Sequence, residues 1–382
     1  MLTRRSLLGK AALTGALALT PRIAFAAAPG DKRFVFIILR GAMDGLSVVM
    51  PVGDSAYTGQ RGALSEPPGA AATKLDAMFA LHPAMVETAA MYAKGEAAFV
   101  HAVASPYRER SHFDAQNVLE TGGTAAYALK DGWLNRLVAT IPGQRDAAIA
   151  LAATVPMVLR GAAPVTSYAP SGLPQAGDDL LQRVAGMYQD DALLHPLWSE
   201  AMDARTLAGG ASGGKASPEA LGKLAATFLA KPTGPRIAVI EVLGWDTHAQ
   251  QAGRLNNQLK QLDATIAALR DGMGPEWRHT VVLAATEFGR TVAVNGTGGT
   301  DHGTGGVAIL AGAGVQGGRV VADWPGLTAS ALYENRDLKP TTDLRSLLLG
   351  VGAAQFGADP ARLSRALFPG AKVTPLAGLV RV

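Results

Sequence analysis

Arg33-Phe34-Val35-Phe36-Ile37-Ile38-Leu39, followed at once by Arg40-Gly41-Ala42-Met43-Asp44-Gly45, is the stretch that decides the fold class. After one leading arginine the run is wholly apolar and rich in aromatic and β-branched residues. A strand with one solvent face alternates apolar with polar residues. A continuous apolar run suits a strand buried on both faces, and such strands occur in parallel sheets sandwiched by helices. The glycines and the aspartate that follow read as a turn. Ala98-Phe99-Val100-His101-Ala102-Val103, Arg236-Ile237-Ala238-Val239-Ile240-Glu241-Val242, Thr280-Val281-Val282-Leu283-Ala284-Ala285 and Gly306-Val307-Ala308-Ile309-Leu310 repeat the pattern farther along.

Helical patterns lie between these runs. Leu255, Leu259, Leu262, Ile266 and Leu269 recur at spacings of three and four, which predicts a helix from Ala249 to about Leu269. Strands alternating with helices predict an α/β fold, a largely parallel sheet covered by helices on both faces. Residues 120–235 carry weaker helical patterns and several loops, and read as an insertion that shapes access to a site. Inside them Gly209-Gly210-Ala211-Ser212-Gly213-Gly214 reads as a flexible surface loop. Hydrophobic residues make up 48% of the chain, enough for a large core.

The N-terminus reads as an address. Thr3-Arg4-Arg5-Ser6-Leu7-Leu8 pairs two arginines ahead of apolar residues, Ala11 to Leu19 is weakly apolar, and Ala24-Phe25-Ala26 offers a peptidase its small-x-small pattern. Residues 1–26 are therefore expected to be a twin-arginine signal peptide, and residues 27–382 the exported domain, placed in the periplasm or beyond after contact with the twin-arginine translocase. The apolar run is too short to span a bilayer, and no other segment reads as a membrane span. The chain has 35 Lys+Arg against 31 Asp+Glu, and Arg4, Arg5, Lys10 and Arg22 are the basic residues of the leader, which has no acid. The remainder is balanced and has no basic run, so nucleic acid is not an expected partner. The absence of cysteine excludes disulfides, thiolate catalysis and cysteine metal sites.

In open parallel sheets ligands bind beyond the carboxyl ends of the strands. Those positions hold Arg40 to Gly45, Ser105 to Asp114 (with Arg108, Arg110, Ser111 and His112), Gly244-Trp245-Asp246-Thr247-His248, and Thr286-Glu287-Phe288-Gly289-Arg290-Thr291. Ahead of the last run sits Gly299-Thr300-Asp301-His302-Gly303. Aspartate, glutamate and histidine ligate zinc, manganese, magnesium or calcium, and a bound ion polarises phosphoryl or sulfuryl oxygens and activates a hydroxyl. Ser111 opens a predicted helix at 113–121, whose free N–H groups favour an anion, and Arg108, Arg110 and Arg290 have the fork geometry to pair with a tetrahedral anion. Each position has a plainer reading: Asp44-Gly45 as a turn, Asp246 and Ser111 as helix caps, His302 as a loop histidine, His82 as a structural one.

Taken in order, these segments resemble the alkaline phosphatase superfamily of phosphatases, sulfatases, phosphodiesterases and phosphoglycerate mutases, from Phe34 to about Gly352. The opening strand ending in Asp44-Gly45, the His82-Pro83-Ala84-Met85 segment, Leu119-Glu120-Thr121-Gly122, the strand from Thr280 to Glu287, Ala308 to Val315 and Thr342 to Leu348 carry the resemblance. Within it the chain is similar to a group of exported bacterial proteins grouped as a domain of unknown function. The resemblance implies a metal-dependent hydrolase of phosphate or sulfate esters acting on a small anionic ester or a sulfated or phosphorylated ligand. Asp44, Asp246, His248, Glu287, Asp301 and His302 would bind the metal, Ser111 would attack, and Arg290 would hold the anion. The chain departs from the pattern at Glu287-Phe288, where the superfamily has Asp-His, and ungapped counting back from Gly122 puts His112 nearest the nucleophile position. The alternative is a non-catalytic exported binding protein on the same fold.

Overall fold

The structure, a computed structural model, describes residues 32–141, 147–169, 178–207 and 217–381. The expected signal peptide and the Gly209 to Gly214 loop lie outside these residues.

A nine-stranded sheet forms the centre. Its strands are β1 (Arg33–Arg40), β2 (Ala97–Ala104), β3 (Ala148–Ala150), β4 (Thr166–Ser167), β5 (Ile237–Leu243), β6 (Thr280–Thr286), β7 (Gly306–Ala311), β8 (Arg319–Val321) and β9 (Thr342–Asp343). The order is β8-β2-β7-β6-β1-β5-β3-β4, with β9 also paired to β2. β1 lies between β5 and β6, parallel to both; Ile37 is level with Ile240 on one side and Ala284 on the other. β7 runs antiparallel to both its neighbours, β2 and β6. That one reversal places the residues ahead of β7 at the same edge as the carboxyl ends of β1, β2, β5 and β6.

Both faces of β1 are buried, as its unbroken apolar run requires. Val35, Ile37 and Leu39 face a core shared with helices Val86–Ala93 (α1), Pro218–Leu229 and Gln251–Met273. Phe34, Phe36 and Ile38 face a second core built on helices Trp133–Thr140, Leu344–Phe356 and Pro360–Leu367. Trp133 meets Phe34 and Phe36 edge-on at 6.5 and 5.3 Å. The helix expected from Ala249 extends to Met273, with Leu255, Leu259, Leu262, Ile266 and Leu269 all buried.

Residues 120–235 are woven into this frame at both ends. They supply the Trp133–Thr140 helix, strand β3 and the edge strand β4, while helices Asp178–Tyr188 and Leu194–Leu207 pack against each other. No helix among the described residues is long and apolar enough to cross a membrane.

Candidate metal centre

The carboxyl edge of the sheet gathers side chains from five segments. β1 is followed by Gly41, whose φ of 117° and tight fit against Asp246 suit only glycine: a Cβ there would lie 2.6 Å from the Asp246 nitrogen. β5 is followed by Gly244, also at positive φ, and delivers Asp246 and His248. β6 delivers Glu287 and Arg290. His112 is the first residue of the helix His112–Thr121 (α2), which follows β2. His302 arrives from the segment ahead of the reversed strand β7.

Their polar atoms converge. The Nε2 atom of His302 lies 3.0 Å from Nε2 of His112 and 3.0 Å from Nε2 of His248. Asp246 reaches His248 at 3.0 Å, His302 at 3.4 Å and His112 at 3.6 Å. One donor atom from each of His112, Asp246 and His302 lies within 4.8 Å of the other two.

The outer nitrogens identify the tautomers. Nδ1 of His302 lies 3.0 Å from the Arg110 carbonyl, which only accepts, so Nδ1 carries the proton. Nδ1 of His112 donates to Glu287 at 2.8 Å, and Nδ1 of His248 donates to Asp301 at 2.9 Å. In the neutral rings all three Nε2 atoms are then lone pairs, and they face one another and a carboxylate. Acceptors at 3.0 Å repel unless a cation lies between them. Histidines held by a carboxylate or a carbonyl through the other nitrogen are the usual supports of a metal site. The donor set therefore fits a divalent ion.

Charge supports this arrangement. Glu287 is fully buried. Burial alone would raise its pKa, but hydrogen bonds from His112, Gln116 and the Gly41 nitrogen hold it below the usual carboxylate range. The Glu287 bond raises the pKa of His112. For His302, burial and then the nearby His112 lower it. Burial opposes ionisation of Asp246, yet Arg290, with His248 and His112, keeps its carboxyl low. Asp301 is lowered chiefly by its bond from His248.

A family profile described as "Protein of unknown function (DUF1501)" matches residues 31–368. The chain belongs to the DUF1501 family. No curated protein matches it. Among solved structures it is similar to the C-terminal periplasmic domain of EptC from Escherichia coli in complex with zinc (10% identity, 75% of this chain and 74% of that one, TM-score 0.39). It is also similar to a 2-O GAG sulfatase (11%, 86% and 71%, 0.42) and to the lipoteichoic acid synthase LtaP from Listeria monocytogenes (11%, 80% and 70%, 0.39).

The DUF1501 centre distributes the residues expected from the sequence into distinct places. His112, Asp246, His248 and His302 form the converging group. Glu287 and Asp301 stand behind it, each engaged by a histidine's Nδ1. Asp44 is joined elsewhere: its buried carboxylate takes an ion pair from Arg61, hydrogen bonds from Ser47 (2.8 Å) and Gln251, and caps the one-turn helix Gly45–Val48. Arg290, expected to hold an anion, is itself buried. It donates to Asp246 at 2.7 Å and to both oxygens of Thr300, so here it steadies Asp246. Ser111 occupies the N-cap position of α2, but its hydroxyl makes no capping bond. His82 is buried and accepts from the Ala84 nitrogen, a structural place.

Sequence reading did not single out Gln116, Arg61, Gln251, Thr300 or Asn295. Gln116 had a signal, since it lies four residues after His112 and so on the same helix face. The others join the site through long-range contacts. Gln251 accepts from Thr247 and Thr300, and Asn295 donates to Asp301 at 3.1 Å.

Proposed function

We propose that this chain is an exported, metal-dependent hydrolase of phosphate or sulfate esters, with one divalent ion held by His112, Asp246 and His302 and joined by His248. The observation that carries this reading is the convergence of three imidazole lone pairs and a carboxylate, each fixed from behind. The nitrogen-rich donor set favours zinc or another imidazole-loving ion over magnesium or calcium. Bound there, such an ion would supply Lewis-acid polarisation of a phosphoryl or sulfuryl oxygen.

The chain's own groups do the rest. Glu287, Asp301 and the Arg110 carbonyl orient the three rings, and Arg290 orients Asp246. The uncapped first turn of α2 presents backbone N–H groups beside His112, where developing negative charge is favoured. Ser111, free of capping duty, is the proposed nucleophile. Asp246 and His248 are nearly half exposed, so the ester approaches an open site. Residues 1–26 are proposed as the twin-arginine signal that exports the domain to the periplasm.

One observation favours a second reading, a non-catalytic exported binding protein. Arg108, Arg110 and Arg290 are all engaged internally, Arg108 with the carbonyls of Ser105 and Tyr107. None is left over to grip a substrate anion. Zinc-loaded protein assayed on a panel of aryl phosphates and sulfates separates the readings. Turnover that Ser111→Ala abolishes, with metal content unchanged, supports the hydrolase. Metal bound without turnover of any ester supports the binding protein. Full activity in Ser111→Ala removes that residue from the attack.

A further inference from the structure

Arg110 has a φ of 60°, a left-handed conformation that an arginine adopts only when its surroundings compel it. Its carbonyl is the group that accepts the Nδ1 proton of His302. Its side chain reaches a turn more than two hundred residues away in sequence. There Nε donates to Asp337 at 2.8 Å, Nη2 donates to Glu334 at 2.5 Å, and the guanidinium lies 6.0 Å above the Tyr333 ring. That turn is itself strained: Glu334 and Asn335 have φ of 53° and 54°. It is closed by Tyr333 N donating to Asp337 O and Arg336 N donating to Tyr333 O. Asp337 is fully buried, and its backbone bridges to Thr291, the residue after Arg290.

Three strained non-glycine residues thus meet at one ion pair, whose far end is a carbonyl aimed at a metal-site histidine. Ion pairing of Arg110 does not require its own backbone to be left-handed. Presenting its carbonyl to His302, while the next two residues turn into α2 and bring His112 to the same group, does.

We propose that Arg110 is a positioning residue and that the Tyr333–Asp337 turn is its clamp: together they lock His302 in the Nδ1–H tautomer and leave Nε2 bare toward the centre. The inference rests on the metal-centre reading for its purpose, but its geometry is tested without metal. The buried Asp337 is the anchor. Glu334 is 55% exposed and contributes little, because exposed pairs are screened.

The experiment is a long-range 15N–1H spectrum of the metal-free chain, followed by Co2+ titration monitored by visible absorption, on wild type, Asp337→Asn, Arg110→Lys and Glu334→Gln. Wild type should show His302 as the Nδ1–H tautomer. Asp337→Asn should show a tautomer mixture, a Co2+ affinity lower by about 10–100-fold and an altered absorption band. Glu334→Gln should match wild type. If Asp337→Asn does not fold, Arg110→Lys carries the same test, since it keeps the charge but loses the Nε–H that reaches the buried Asp337. A wild-type tautomer retained in a folded Asp337→Asn or Arg110→Lys overturns the clamp. Absence of Co2+ binding by wild type, with the tautomer locked, overturns the metal-centre reading and leaves the clamp standing as a structural device.

Discussion

Asp44 and His112 show what residue type alone can and cannot assign. Both belong to the right chemical classes for a metal site, and both sit at the edge where ligands bind. Only His112 joins the converging group. Asp44 is neutralised by Arg61, a partner 17 positions along whose relevance no local pattern signals. Asp44→Asn is therefore expected to leave metal content unchanged while destabilising the fold by about 3–5 kcal/mol, because a buried guanidinium loses its counter-charge. Metal analysis with urea denaturation checks this. Loss of metal with unchanged stability would make Asp44 a ligand after all. The same limit applies to Glu287 and Asp301. Their place at the sheet edge was legible, but spacing says nothing about which nitrogen of a histidine faces the converging group. That is decided by the long-range bonds from His112 to Glu287 and from His248 to Asp301.

At the scale of elements, the strands were legible because burial on both faces writes itself as an unbroken apolar run. β1, β2, β5, β6 and β7 fall within a residue or two of their expected bounds. The direction of β7 was not legible, since a buried strand looks the same from either end. Yet that reversal explains why Asp301 and His302 precede their strand while Asp246 and Glu287 follow theirs. The stretch from 120 to 235 was the least legible. β3 and β4 are too short to show a pattern and are held by their neighbours in the sheet. The join between β1 and β5 yields a prediction. Gly41→Ala adds a Cβ 2.6 Å from the Asp246 backbone at a φ of 117°, so the turn must move and carry Asp246 with it. Metal affinity should fall at least about tenfold, with a loss of about 1–3 kcal/mol in stability, read by metal titration and thermal melting. Wild-type affinity in this variant would mean that Asp246 is not held by this contact.

Over the whole molecule, acid should loosen the fold well before its carboxylates titrate. His101 is fully buried; one ring nitrogen lies 2.9 Å from the Val49 carbonyl and the other accepts from the Ala102 nitrogen. Burial pushes its pKa down to about 4, with the Val49 bond and the charge of Asp44 offsetting only part of this, and burial pushes His82 to about 4 as well. A folded-state pKa below the unfolded value of about 6.5 means the contribution is complete above pH 6.5 and is lost as pH falls toward 4. His112, raised by Glu287, acts with the opposite sign in the metal-free protein, while His302, lowered by burial, acts with the same sign as His101 and His82. Urea denaturation of metal-free protein should show stability falling from pH 7 to pH 5, by about 2 kcal/mol for each buried histidine before that offset. A flat or rising profile would mean that these rings are charged or solvated in the fold. The central claim is that three histidines and Asp246 hold one divalent ion, and elemental analysis of zinc-equilibrated protein tests it most directly. Wild type should carry one equivalent of zinc per chain, and His112→Ala and His302→Ala well under half of it, with both variants folded. A wild-type protein that takes up no zinc, or an undiminished equivalent in both variants, would contradict the account.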